Sequence, residues 1–178
     1  MMVKRKEKRQ MKNIDPRELT DNFFEAVGKE WMLVTAGTKE KFNMMTASWG
    51  CIGWLWNKPV AVAFIRPERF THAIIEQQER LTLSFLGDSQ EMRKAYSICG
   101  SKSGRDCDKV KETGLHPVET QGGSMTFEEA RLTLVCRKLY KDTLKEGNFI
   151  DKDLTQWYGE KGGYHDVYVL EIEECLVR

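Results

Sequence analysis

Residues 31–65 read WMLVTAGTKEKFNMMTASWGCIGWLWNKPVAVAFI, and their period decides the fold. Trp31 to Thr38 is apolar and rich in strand-forming residues, and Gly37-Thr38-Lys39-Glu40 supplies turn chemistry. Phe42 to Ile52 resumes as a second strand. Val60 to Ile65 is an unbroken apolar run, the pattern of a strand buried on both faces.

The flanks extend the same pattern. Leu81 to Leu86 alternates apolar and small polar residues, as does Leu132 to Leu139, and Met125 to Phe127 is a short strand. Asp166 to Val177 alternates best, with Tyr168, Leu170, Ile172 and Glu174 on one face and Val167, Val169, Glu171 and Glu173 on the other. Helical signals are short. Asp15-Pro16-Arg17-Glu18 opens a helix that continues through Phe23, Phe24 and Val27 to Gly28. Thr71 to Glu79 is another helix, the pair Asp88 and Glu91 caps a third running toward Tyr96, and Asp106 to Thr113 and Leu154 to Tyr158 are brief turns. About seven strands with a few short helices do not make a doubly wound parallel sheet. They make a mainly β chain, an antiparallel barrel with helical insertions.

Composition narrows the function. The 178 residues carry 28 Lys and Arg against 27 Asp and Glu, for a net charge of +1. That balance exerts no general pull on nucleic acid or anionic membrane. The longest apolar run, Val60–Ile65, falls far short of the roughly 20 residues a spanning helix needs. A chain of this length buries roughly 70% of its unfolded surface, so its core requires no disulfide or structural metal. Cys51, Cys99, Cys107, Cys136 and Cys175 are odd in number and contain no CxxC pair. They read as reduced, mostly buried thiols of a cytoplasmic protein, with Cys99 and Cys107 expected nearest the surface because they flank a Gly/Ser turn. Residues 1–12 form a basic, mobile arm, with Met11 as an alternative start, and residues 13–178 form one domain. That domain has 22 basic and 26 acidic residues, which weakens a third reading, a small-barrel nucleic-acid-binding module.

Common catalytic motifs are missing. No GxGxxG follows a strand, no Walker spacing occurs, and neither HExxH nor GxSxG is present. His72, His116 and His165 are isolated in sequence, so no metal site is expected.

Four stretches carry binding chemistry. Asn43-Met44-Met45-Thr46-Ala47-Ser48-Trp49-Gly50 puts Thr46 and Ser48 on one side of a strand and ends in a large aromatic, which suits a polar planar ligand as well as an ordinary buried strand. Arg66-Pro67-Glu68-Arg69-Phe70-Thr71 places two arginines beside a helix N-terminus, the general form of an anion site. Cys99-Gly100-Ser101-Lys102-Ser103-Gly104-Arg105 is a loop able to wrap an anion. Gly162-Gly163-Tyr164-His165 allows close backbone approach beside a histidine.

In this order, with LTLSFLG and GYHDVYVLEIEE in place, the motifs resemble the flavin reductase-like, FMN-binding family over about residues 25–178, among them the flavoredoxin-like split barrels. The resemblance implies a Greek-key split β-barrel, usually a homodimer with FMN near the subunit interface, taking hydride from NADH or NADPH or passing electrons onward. Carried over by position, Asn43, Met45, Thr46, Ala47, Ser48 and Trp49 contact the flavin ring and its side chain. Arg66, Arg69 and Thr71 serve the phosphate and ribityl end, while Gly100, Ser101, Lys102, Ser103 and Lys109 close the site. His165 lies near the nicotinamide or the ring edge. Where some family members have Gly-Asp-His, this chain has Gly-Tyr-His, and Leu170 replaces a usual glycine. NAD(P)H is then a visiting co-substrate, which accounts for the missing Rossmann motif. The alternative function is a non-catalytic FMN carrier or flavin store.

Overall fold

The computed structural model of the chain describes residues 11–160 and 162–178. Its strands are β1 Lys12–Ile14, β2 Met32–Thr38, β3 Lys41–Ala47, β4 Gly50–Leu55, β5 Lys58–Ile65, β6 Arg80–Phe85, β7 Pro117–Glu119, β8 Met125–Phe127, β9 Leu132–Thr143 and β10 Asp166–Val177. The α-helices are α1 Phe23–Glu25, α2 Phe70–Gln77, α3 Gln90–Ser101 and α4 Lys109–Thr113. β7 and β8 form a separate hairpin; the main antiparallel sheet runs β3-β2-β6-β9-β10-β5-β4.

One short link curls this sheet. β3 and β4 are its two ends, yet Ala47 and Gly50 are three residues apart and can lie at most about 11 Å from each other. The ends must therefore approach, and the sheet becomes a barrel. The barrel is split along β10, whose one edge pairs with β5 over Asp166–Glu171 and then with β1 over Cys175–Val177.

Inside lie Val34, Met45, Ala63, Ile65, Leu81, Leu83, Phe85, Leu134, Tyr168 and Leu170, all buried. A second core forms outside, where α3 lays Met92, Ala95, Tyr96 and Cys99, at helical spacing, over Leu33 and Met44. Met32 to Ala36 of β2 is thus buried on both faces. The strand expected to be buried on both faces, Val60–Ile65, is not fully covered: Ala61, Ala63 and Ile65 face the core, while Val62 and Phe64 are only half-buried.

Several expected elements are corrected by local hydrogen bonding. The helix from Asp15 to Gly28 is broken in two. Asp15 accepts from the Arg17 amide to close only a 3-10 turn, and Asn22 caps a fresh start at Phe23 by accepting from the Phe24 amide. The single strand Phe42–Ile52 is two strands parted at Ser48-Trp49. The α3 cap is Ser89, which accepts from the Met92 amide, and α3 continues to Ser101. On β10 a register shift between Ile172 and Glu174 moves the inward phase, so that Cys175 rather than Glu174 enters the core. Lys12, expected in the arm, pairs with Val177; residues 1–10 lie outside the described residues.

Candidate functional site

The Ser48-Trp49 link falls between two hydrogen-bonded ladders, so its backbone and side chains face a cleft. This first lobe, about 200 Å³, is lined by Met45 to Trp49 together with Phe64, Arg66, Arg69 and His165. Its mouth is aromatic. Trp49 lies edge-on to Trp157 at 5.7 Å between ring centroids and 5.1 Å from the His165 ring. The floor is held from beneath: Thr46 donates its hydroxyl to the Tyr96 carbonyl at 2.6 Å.

A second lobe, about 220 Å³, adjoins it at Arg69 and is lined by Glu68 to Thr71, Ser101 to Arg105 and Lys109. Two helix ends meet here. The N-terminus of α2 opens into it with Arg69 as N-cap and no side-chain cap. The C-terminus of α3 presents carbonyls, which draw cations. Arg69 donates to the Gly100 carbonyl at 2.8 Å and the Cys99 carbonyl at 3.2 Å. Lys109, 4% exposed, donates to the Met44 carbonyl at 2.8 Å and the Cys99 carbonyl at 2.9 Å. Among the described residues neither cation lies within 4.0 Å of a carboxylate, and burial pushes both pKa values down. Two withdrawn positive charges with only carbonyl partners, beside an uncapped helix N-terminus, form a strong electrostatic demand for an anion.

The rest of that lobe is tightly specified. Asn43 donates to Thr71 Oγ1 at 2.8 Å, and both side chains are buried. Gly104 sits against them, where a Cβ would lie 2.2 Å from Asn43 Oδ1 and 2.8 Å from the Phe70 ring. Arg105 donates to the Glu68 carbonyl at 3.2 Å and stands over the Phe70 ring. Lys102 is paired with Glu112 at 2.7 Å.

His165 is 6% exposed, and its Nδ1 is 3.0 Å from the Tyr158 hydroxyl. Burial, reinforced by the Arg66 charge, pushes its pKa down to about 4. It is therefore a neutral imidazole at pH 7, not an anion-pairing cation. The next residue, Asp166, points to the opposite side of β10, where it holds His72, Thr143 and Lys141. Since the unfolded chain binds a proton at His165 near pH 6.5 and the folded one only near 4, stability falls with pH through that window. Denaturant unfolding at pH 7 and pH 4.5 should show His165→Gln losing about 1–3 kcal/mol less than wild type over that change. An equal loss in both proteins would contradict this environment.

The structure gathers most of the expected residues but divides their work. Met45, Thr46, Ala47, Ser48, Trp49, Arg66 and His165 line the first lobe; Thr71, Ser101, Lys102, Ser103 and Lys109 line the second, and Arg69 lines both. Asn43 and Gly100 line neither and support from behind, Gly100 by its carbonyl. Arg66, expected at the anionic end, lies instead at the aromatic end, because its guanidinium is drawn to the Trp157 and Gly163 carbonyls. Phe64, Glu68, Phe70, Gly104, Arg105 and Trp157 were not among the expected site residues. Four of them lie inside quoted motifs, whereas Phe64 reads as strand core and Trp157 as part of a brief turn. Cys99, expected near the surface, is buried with its pKa pushed up to about 11, and Cys51 is the exposed thiol. Among the described residues no cluster of His, Cys, Asp and Glu could hold a metal, and no helix is long and apolar enough to cross a membrane.

The cleft thus suits an elongated ligand with a flat apolar body and an anionic end. Comparison with known proteins points the same way. A family model described as "Flavin reductase like domain" matches residues 24–178. No curated protein matches in sequence. A flavoredoxin from Methanosarcina acetivorans is similar in structure, with a TM-score of 0.62 at 21% identity, covering 84% of this chain and 68% of that one. An FMN-binding protein from Thermus thermophilus, solved with 1-cyclohex-2-enone, has a TM-score of 0.62 at 21% identity, covering 93% and 79%. An FMN-binding domain of a flavin reductases-like enzyme from Shewanella baltica reaches 0.64 at 16% identity, covering 94% and 76%. At these identities the structural likeness speaks for the split-barrel fold.

Proposed function

Because the chain belongs to the flavin reductase-like domain family, we propose that it binds FMN across the two lobes and acts as an NAD(P)H-dependent flavin oxidoreductase. The carrying observation is the pair Arg69, half-buried, and Lys109, buried, two cations that among the described residues have no carboxylate partner and line one small lobe. The FMN phosphate supplies the missing anion. The α2 amides, Ser103 and Arg105 complete its donor set. Thr46 to Trp49, with Phe64 and His165, would hold the ring.

When bound, FMN supplies the redox chemistry, accepting a hydride that leaves the nicotinamide as its oxidised, cationic form. The chain's own part is to bind, orient and exclude water. Backbone amides of the Ser48-Trp49 link offer donors to the ring edge, and the aromatic mouth keeps one ring face dry. Neutral His165 offers a hydrogen bond at that mouth without adding a charge.

We also assign the homodimer surface. On the outer face of β4, β5, β10 and β9, Cys51, Val62, Val169 and Tyr140 stand in register as one row, beside Phe64 and Val167. Leu55 on the same face and Trp56 at the β4–β5 turn extend it, both exposed, with the Trp56 ring 6.5 Å from that of Tyr140. A second copy would cover the half-buried face of the strand whose sequence asks for double burial, next to the first lobe. A cytoplasmic location fits the reduced thiols of this reading.

A flavin carrier would share the cleft but not the hydride step. Anaerobic mixing of the FMN-loaded protein with NADH, then NADPH, separates the two. The oxidoreductase reading expects the visible flavin band to bleach within seconds, as turnover numbers of about 1–1000 per second require. A band unchanged by either nucleotide yet bleached by dithionite would leave the carrier.

A further inference from the structure

Between β9 and β10 the chain leaves the barrel as a strap from Leu144 to His165. This excursion has little core of its own. Ile150 is 99% exposed, and Leu154 and Trp157 are nearly half exposed. Yet Trp157, Tyr158 and Gly162 to His165, near its end, are fixed against the first lobe. One side chain makes several of the fixing contacts. Arg66 donates through Nη2 to the Trp157 carbonyl at 2.8 Å and through Nη1 to the Gly163 carbonyl at 3.2 Å. Its guanidinium also stacks over the Tyr158 ring at 5.3 Å. Tyr158 in turn meets His165 Nδ1 at 3.0 Å and stacks on Tyr164 at 4.5 Å between centroids. Glu68, 4.0 Å from Arg66, packs against the same strap. At Gly162, with φ of +121°, a Cβ would lie 2.0 Å from Glu68 Oε1 and 2.8 Å from Arg66 Nη1. The glycine pair therefore admits the latch to the backbone.

Two carbonyls, a ring and Glu68 engage the planar fork of Arg66 on the strap side, and Arg66 does not line the second lobe. We propose that Arg66 is a positioning residue: it latches the strap so that Trp157 and His165 form the outer wall of the aromatic lobe, and that wall sets how a planar co-substrate is admitted to the flavin. The inference rests on the FMN reading for its co-substrate part only. Because Trp157 is held against Trp49 at the mouth, the latch narrows the opening to a slot for a flat ring. Released, the strap would widen the slot without touching the anionic lobe, to which Arg66 does not contribute.

The test uses the full-length protein with Arg66→Gln, Arg66→Lys and Tyr158→Leu. Amide hydrogen exchange on the FMN-free protein should show residues 150–160 exchanging at least tenfold faster in Arg66→Gln and Tyr158→Leu, with β2 and β9 unchanged. Arg66→Lys, which keeps the charge but loses the planar fork, should fall between. In the FMN-loaded protein, KM for NADH or NADPH should rise at least fivefold while kcat stays within threefold. The ratio of FMN to riboflavin affinity should not move. Unchanged exchange in the strap overturns the latch. A selective loss of FMN over riboflavin affinity in Arg66→Gln also overturns it, because Arg66 would then be a phosphate ligand. An unchanged KM overturns the admission role. Failure of wild type to bind FMN instead sinks the functional reading, and the exchange result then decides the latch alone.

Discussion

Lys109→Met is expected to weaken FMN binding about 10- to 100-fold, the usual range for a charged hydrogen bond, while costing the FMN-free protein no stability. The reasoning is a balance of two terms. The Lys109 ammonium is almost fully withdrawn from water and has only carbonyl partners, so its burial is poorly compensated. Removing it would ordinarily leave two carbonyls unsatisfied. Here each keeps another donor: Asn43 Nδ2 reaches the Met44 carbonyl at 3.3 Å, and Arg69 reaches the Cys99 carbonyl at 3.2 Å. Methionine follows the lysine stem with little change in volume. The repulsion between Lys109 and Arg69 is also relieved. Urea unfolding without cofactor should therefore place the variant between equal to wild type and about 1–2 kcal/mol more stable. Riboflavin, lacking the phosphate, should bind both proteins alike. A variant destabilised by more than about 2 kcal/mol would show that Lys109 serves the fold and not the ligand.

Tyr96→Ala should cost about 3–5 kcal/mol, the range for deleting a buried aromatic side chain. Tyr96 is fully buried at the centre of the outer core, its ring 6.3 Å from Trp31 and its hydroxyl accepting from the Leu86 amide at 2.8 Å. Total stability of a domain this size is about 5–15 kcal/mol, so this one change removes a large share. Tyr96→Phe isolates the polar part: the Leu86 amide loses its acceptor inside the protein, at about 1–3 kcal/mol. Since the Tyr96 carbonyl also anchors Thr46, the larger change should loosen the floor of the cleft as it weakens the fold. Guanidinium melts of the three proteins would measure both values; a loss under about 1 kcal/mol for Tyr96→Ala would contradict the placement of α3.

How much of this was legible in the sequence depends on the range of the interaction. β8 and β10 end where the alternation ends, because each strand's pattern is local and one face is buried. The break at Ser48-Trp49 was not legible, since a chain that passes from one end of the sheet to the other without losing its apolar character looks continuous. The double burial of β2 was equally hidden, because only α3, some sixty residues later, covers its second face. At the site, small residues, hydroxyls and arginines marked the right segments. Their duties were set by three-dimensional partners: Arg66 by carbonyls more than ninety residues away, Arg69 and Lys109 by the end of a helix. Residue type announced a cation near an anion site; only the fold showed which cations line the second lobe.

The central claim is that two cations with only carbonyl partners, Arg69 and Lys109, would hold the phosphate of a flavin whose ring Thr46 to Trp49 would hold. Parallel titration of the FMN-free protein with FMN and with riboflavin, followed by flavin fluorescence, tests it most directly. The expected result is one FMN per chain, quenched by Trp49, at an affinity at least tenfold above that for riboflavin. Equal affinities, or no binding of either flavin, would contradict it.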